Sequence, residues 1–269
     1  MDGSADMTSS GANVCIQAVV LAAGRGARMG ALTERQPKCL CALAGRPILA
    51  WTLDALRANG VERVLAIGGW RHELLVDWVD QVIVNNRWEQ SNMVRSLLLA
   101  DEWLNKGPTL IVYGDGAYGA RAIGAALQGG RGDLCLPVDR RWLSLWNRRF
   151  ADPLCDAESL RTLDGCLTNI GQRPSALHDI DAQFMGLLRA NSSGWDRITR
   201  WLRDYEREFG SAAVDRLDTT GLLHRLVDAG ETIFCTDVEG GWVEIDSAED
   251  ITAAEGGLLD PTFLHDFRH

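Results

Sequence analysis

The sequence predicts an α/β fold, a mostly parallel sheet with flanking helices, and three observations carry that prediction. Short apolar runs bounded by turn residues recur along the chain with helical patterns between them. A glycine-rich segment follows the first of these runs, Leu21-Ala22-Ala23-Gly24-Arg25-Gly26, and leads to Pro37-Lys38. Two later runs end in an aspartate, at Asp115 and Asp246. The 269 residues allow one large α/β domain or two small ones. An apolar share of 46% supports a sizeable core.

In chain order, 15–23 reads as a buried first strand. The segment 46–59 carries Pro47 near its start, an apolar face at Ile48, Leu49, Leu53 and Leu56, and Gly60 as a stop, which makes it a helix. A second strand over 61–67 is followed by a short helix over 71–78 and a third strand over 81–84. A second long helix over 92–104 precedes a fourth strand over 109–113. This alternation, with the glycine-rich loop after the first strand, is a Rossmann-like layout, in which ligands sit beyond the carboxyl ends of the strands. Further strands are expected at 134–138, 180–188 and 231–235. Residues 189–230 read as helical, an insert or lid within a single domain spanning 14–269. Residues 1–13 are small and polar with acidic charge; they are expected to be a disordered tail rather than a signal peptide.

The net charge of −10 argues against nucleic acid and membrane surfaces as partners, since both favour basic patches. The apolar run at 14–23 is too short to span a bilayer. Seven cysteines form an odd set without a Cys-x-x-Cys pair, and Cys39-x-Cys41 lacks partners at zinc spacing. Most of them fall in apolar stretches and read as small core residues, in a reducing cytoplasm.

The glycine-rich segment suits a nucleoside triphosphate. Gly24 and Gly26 let backbone approach phosphate oxygens, and successive N–H groups can form an anion site. Arg25, Arg28 and Lys38 add positive charge. No Lys-Ser or Lys-Thr follows the glycines, which excludes a Walker loop. The third glycine, Gly30, comes one place too late for a dinucleotide fingerprint. Transfer from a triphosphate calls for a divalent metal, and Mg²⁺ takes one or two carboxylates with phosphates and water. Asp115 follows an apolar strand with one glycine between, so it stands at the strand's carboxyl end; a turn acid or helix N-cap is the alternative. Asp246 closes Trp242-Val243-Glu244-Ile245-Asp246, where Glu244 and Asp246 share a strand face; a cap for the following helix is the alternative.

At Leu21, Ala22, Ala23, Gly24, Gly26, Arg28, Met29, Thr33, Pro37, Lys38 and Leu40 the chain resembles the nucleotidyltransferase (pyrophosphorylase) signature. Asn85-Asn86-Arg87-Trp88, Ser91-Asn92…Arg95-Ser96-Leu97 and Tyr113-Gly114-Asp115 extend the resemblance, as do Asp139-x-x-Trp142-x-x-x-Trp146-x-x-Arg149, Pro153 to Glu158, Gln183 to Leu187 and Trp242 to Asp246. Together these cover most of 15–255 and are most similar to the phosphocholine- and phosphonate-type cytidylyltransferases. The resemblance implies a nucleotide-diphospho-sugar-transferase-like fold. It implies that Leu21, Ala22, Ala23, Gly24, Gly26 and Arg28 bind the nucleotide, with Lys38 and Arg25 stabilising charge on the transferred and leaving phosphates. It also implies Asp115 and Asp246 as Mg²⁺ ligands. Ser96, with Asn92 and Arg95 behind it, is expected at a pyrimidine edge; a place on the helix surface is the alternative. Gly114, where those relatives carry serine, is expected to loosen its turn.

Ten tryptophans stand out, and Trp142 and Trp146 share one face if their segment is helical. Aromatic faces beside acids such as Asp139, Asp156 and Glu158 suit a cationic head group. Trp142, Asp139, Gln183 and Glu244 are therefore expected to bind the acceptor; the core or a homodimer seam is the alternative for the tryptophans. His178 and His224 have no partner pattern, and no nucleophile constellation is present or needed. The expected activity is Mg²⁺-dependent transfer from CTP to a small phosphorylated or phosphonate acceptor, such as phosphocholine or 2-aminoethylphosphonate, releasing pyrophosphate. A sugar-1-phosphate nucleotidylyltransferase using UTP or another triphosphate is the alternative within the class. A non-catalytic nucleotide-binding module is the alternative from outside it.

Overall fold

The structure, a computed structural model, describes residues 16–129 and 131–269. The expected tail and the start of the first expected strand at Cys15 lie outside the described residues. Strand β1 (Gln17–Ala22) is buried along its whole length. Its side chains alternate between two cores: Ala18, Val20 and Ala22 enter one apolar cluster, Val19 and Leu21 the other. Helices cover both faces, so the strand reads as a continuous apolar run.

A small hairpin, β2 (Ala42–Leu43) and β3 (Arg46–Pro47), precedes helix α1 (Ile48–Ala58). The helix starts later than expected because Arg46 and Pro47 pair with the hairpin. Leu53 and Leu56 face the core, each burial stabilising by about 1.5–3 kcal/mol. Strands β4 (Arg63–Gly68) and β5 (Gln81–Val84) follow, separated by a 3-10 turn over His72–Leu75 where a short helix was expected. The long helix expected over 92–104 is two pieces, α2 (Met93–Leu98) and α3 (Asp101–Leu104). Ala100 unwinds between them, and Asp101 accepts a 2.7 Å hydrogen bond from the Trp195 indole. The apolar period runs through this break, so the pattern did not reveal it.

Strands β6 (Thr109–Tyr113) and β7 (Gly116–Tyr118) lead to α4 (Ala120–Gln128), β8 (Leu134–Asp139) and α5 (Trp142–Arg149). Strands β9 (Leu160–Leu163) and β10 (Cys166–Ile170) form an antiparallel pair. The strand expected over 180–188 is split into β11 (Gln183–Phe184) and β12 (Leu187–Ala190). Gly186 turns the chain between them at φ 69°, and a Cβ there would lie 2.8 Å from the Tyr113 Cβ. The helical segment is α6 (Ser192–Phe209), α7 (Ser211–Arg216) and α8 (Thr219–Asp228). The chain closes through β13 (Phe234–Val238), β14 (Trp242–Glu244) and α9 (Ala248–Gly257).

The large sheet has the order β5-β4-β1-β6-β12-β8-β13-β10-β9, with β11 paired to β8. Strands β5, β4, β1 and β6 are parallel, as are β8 and β13, while β12 runs antiparallel between β6 and β8. Beside it, β14 pairs with β7, which brings the segment after β14 next to the carboxyl end of β6. Among the described residues no helix is long and apolar enough to cross a membrane.

Candidate active site

The loop after β1 is pinned from beneath. Buried Thr33 shares its one Oγ1 hydrogen between the carbonyls of Gly26 (3.1 Å) and Gly30 (3.3 Å), and the Met29 side chain plugs the core. Gly26 has φ 72°, and a Cβ there would lie 2.8 Å from the Lys38 Cβ. Glycine is needed twice over: for the left-handed backbone and for the lysine stem that crosses it. A Cβ on Gly24 would meet nothing within 4 Å, so its backbone faces open space.

Lys38 reaches under this loop to two carboxylates. Its Nζ lies 2.7 Å from Asp115 Oδ2 and 2.8 Å from Asp246 Oδ1. Burial works against the ammonium, but the two aspartates outweigh it and hold Lys38 above the ordinary lysine range. Asp246 in turn is held below the ordinary carboxylate range, burial being outweighed by Lys38, Arg28 and Arg149. Asp115 is placed by the Gly114 turn, whose N–H donates to the Leu21 carbonyl at 3.0 Å. A Cβ on Gly114 would lie 2.8 Å from that carbonyl oxygen. The glycine therefore tightens the junction of β6 with β1, where loosening was expected. Asp246 is not the cap of α9: Ser247 is, in a capping box with Asp250.

Arg149 organises the acids from behind. Its side chain is 2% exposed, yet it meets Glu244 Oε2 at 2.7 Å, Asp250 Oδ1 at 2.8 Å and Asp246 Oδ2 at 3.5 Å. Its guanidinium also stacks 5.1 Å from the Trp146 ring. Burial pushes the Glu244 carboxyl up to about 7, with Arg149 pulling against it and Asp246 and Asp115 adding to the rise.

Two clefts meet at Asp115, sharing Met93 and Tyr113 as a common wall. Leu21, Ala22, Ala23, Gly24 and Gly26 line one side of the first cleft, with Lys38 at its inner end. Trp88, Ser91, Asn92 and Ser96 line the same cleft. The second cleft is acidic and aromatic: Asp156, Glu158, Asp218 and Glu244 stand beside Trp146, Trp242 and Tyr118. Burial raises both Asp156 and Glu158, and neighbouring carboxylates add to it.

The model of the MobA-like NTP transferase domain matches residues 18–169, over half of the 269-residue chain. The chain belongs to this nucleotidyltransferase family. Over 248 residues it is 26% identical to the CTP:phosphoglutamine cytidylyltransferase of Campylobacter jejuni subsp. jejuni, across 88% of this chain and 98% of that protein. A stretch of 103 residues is 30% identical to the 2-aminoethylphosphonate cytidylyltransferase of Lancefieldella rimae, covering 36% of this chain and 42% of that protein. The inositol-1-phosphate CTP transferase of T. maritima shares the fold, with a TM-score of 0.69 and 21% identity over 89% of this chain and 92% of its own.

Within this nucleotidyltransferase the structure brings most of the expected residues to the two clefts and corrects two placements, Asp139 and Trp142. Arg28, exposed on the segment after Gly26, reaches Asp246 at 2.9 Å and lines the second cleft. Arg25 lines neither cleft; it stacks on Trp70 at 5.1 Å. Asp139, expected at the acceptor, is fully buried: it accepts from the Trp242 indole (2.9 Å), Gly240 N (3.1 Å) and Arg141 N (2.7 Å) and faces His265 Nε2 at 2.7 Å. Trp142 packs edge-on against Trp146 in the core, and it is Trp146 that reaches the cleft. Gln183 and Glu244 do line the second cleft. The sequence reading missed Trp88 as a wall of the first cleft, although Trp88 stood in a motif it singled out.

Asp115 and Asp246 offer oxygen donors only, converging on one cation, the Lys38 ammonium. That donor set fits a hard divalent ion such as Mg²⁺ completed by phosphates and water. Among the described residues no group of three or more His, Cys, Asp or Glu is arranged for a metal, so these residues alone supply no cage.

Proposed function

We propose that this nucleotidyltransferase is a Mg²⁺-dependent cytidylyltransferase. It joins CTP to a small phosphorylated or phosphonate acceptor bearing an amine or quaternary ammonium, and releases pyrophosphate. The observation that carries this reading is the meeting of a glycine-lined cleft and an acidic, aromatic cleft at the Lys38–Asp115–Asp246 cluster. The triphosphate lies along the loop from Leu21 to Gly26, with the base towards Asn92 and Ser96. The acceptor enters the second cleft with its cation among Asp156, Glu158, Asp218 and the ring of Trp146, an environment suited to ammonium. Two relatives are named for amine-bearing acceptors, phosphoglutamine and 2-aminoethylphosphonate.

An acceptor oxygen attacks the α-phosphorus of CTP. A new P–O bond forms as the bond to the bridging oxygen breaks, and the electron pair departs on pyrophosphate. The attacking oxygen is already anionic, so no side chain has to take a proton. Alignment and charge neutralisation supply the acceleration. Lys38 holds positive charge beside the phosphates, and Arg28 stands at the mouth of the second cleft. Asp115 and Asp246 would hold Mg²⁺, which supplies electrostatic neutralisation of phosphate oxygens when bound.

Pyrophosphate release with CTP, UTP, ATP and GTP, each crossed against phosphocholine, phosphoglutamine, 2-aminoethylphosphonate and glucose-1-phosphate, tests the reading. Turnover is expected with CTP and an amine-bearing acceptor, to stop with excess chelator, and to fall about a hundredfold or more in a folded Lys38→Ala variant. Turnover confined to UTP and glucose-1-phosphate would overturn the acceptor and base assignments. Full activity in chelator would overturn the metal.

A further inference from the structure

Behind the Asn92–Ser96 wall of the first cleft lies a side chain that does not line the cleft. Asn85 follows β5 and is 3% exposed. Its amide orientation is set by the backbone, because the N–H of Arg87 donates to Oδ1 at 2.9 Å. The Nδ2 group is thereby turned to two hydroxyls of the cleft wall, Ser96 Oγ at 2.9 Å and Ser91 Oγ at 3.0 Å. Ser91 passes its own hydrogen to the Arg87 carbonyl at 2.9 Å. Ser96 accepts from Asn85, and among the described residues its hydroxyl hydrogen has no protein acceptor. A serine hydroxyl has one hydrogen to give. With one of its two lone pairs committed to Asn85, the hydroxyl keeps that hydrogen and one lone pair, and a partner that accepts from the cleft satisfies the hydrogen.

We propose that Asn85 is a positioning residue for base selection: it holds the Ser96 hydroxyl as a donor, so that Ser96 accepts cytosine and rejects uracil. The inference rests on the reading that the pyrimidine faces Ser96. Cytosine N3 carries a lone pair and takes a hydrogen bond from such a donor. Uracil N3 carries a hydrogen, so it can only donate to the hydroxyl's remaining lone pair and leaves the Ser96 hydrogen unpaired. A site built to donate discriminates strongly, since the mismatched partner leaves buried polar atoms unpaired. The chain of orientation runs from a backbone N–H, through a buried amide, to a hydroxyl on a helix 11 residues away in sequence.

Exchanging the amide for a carboxylate reverses this order. In Asn85→Asp the Arg87 N–H still has its acceptor, but the second oxygen now draws the Ser96 hydrogen and turns a hydroxyl lone pair to the cleft. The ratio of kcat/KM for CTP to that for UTP should fall about tenfold or more, with the UTP value rising. In Ser96→Ala the ratio should fall without a gain for UTP. If circular dichroism shows that Asn85→Asp does not fold, Asn85→Ala serves instead, and the freed hydroxyl should lower the ratio without inverting it. A ratio unchanged in a folded Asn85 variant overturns the assignment. The change in ratio is read independently of which triphosphate the wild type prefers. A wild type that favours UTP therefore overturns the CTP reading, while the shift on substitution still decides the role of Asn85.

Discussion

Replacing Arg149 by methionine tests how the acids of the site are held together. Methionine keeps a stem to pack on Trp146 and Phe150 and removes the guanidinium. The lost charge serves Glu244 at 2.7 Å, Asp250 at 2.8 Å, Asp246 at 3.5 Å and Asp156 at 3.9 Å, from a side chain 2% exposed. Breaking one buried pair by removing a partner typically costs about 3–5 kcal/mol, because the remaining charge stays buried. Here several carboxylates lose the same cation, so the variant is expected in that range at pH 8.

The pH dependence has a definite sign. Burial already pushes Glu244 from 4.5 up to about 7 against the pull of Arg149. Without the guanidinium it rises further. A carboxyl with a raised folded pKa binds its proton more tightly when folded, so stability falls as pH climbs from the unfolded value through the folded one. Urea unfolding of wild type and Arg149→Met at pH 6 and pH 8 should therefore show a clearly smaller loss at pH 6. A loss below about 1 kcal/mol at pH 8, or an equal loss at both pH values, would refute the reasoning.

Gly26→Ala should destabilise by about 1–3 kcal/mol and lower kcat, since a Cβ at φ 72° pushes against the Lys38 stem 2.8 Å away; thermal unfolding and pyrophosphate release check it. Asp139→Ala should cost several kcal/mol, about 3 or more, in urea unfolding, because it strands the Trp242 indole and two backbone N–H groups. Glu158→Gln should raise KM for an amine-bearing acceptor about tenfold with little change for CTP. In the wild type, burial and the nearby Asp218 and Asp156 raise Glu158 above the usual range. Its ionisation should therefore lower the acceptor KM as pH rises through that raised pKa, and the variant should lack that part of the pH profile.

Local chemistry was legible from residues alone. The glycine loop, the apolar strand before it, and an aspartate one glycine beyond β6 are short-range patterns, and each carries its own turn or strand signal. The strand over Thr109–Tyr113 was readable for that reason, while the helix around Trp142 and Trp146 entered only as a condition. Which of two equivalent residues faces a cleft was not. Trp142 and Trp146 share a helix face, yet packing of α5 against the Trp242 side of the core sends only Trp146 to the cleft. Asp139 looks like any strand-end acid until Trp242, Gly240 and His265 are brought round it from 101 or more residues away.

The sequence by itself determined the α/β class, the family signature, and the residue types that meet a triphosphate: two glycines, a lysine and two aspartates. Only the tertiary structure decided that Lys38 bridges Asp115 to Asp246, 208 residues distant, and that Arg149 and Asn85 stand behind the residues lining the clefts. The physical reason is the range of the interactions. Periodicity and turn chemistry act within a few residues, while burial, ion pairing and hydroxyl orientation depend on which distant segments the sheet order sets side by side.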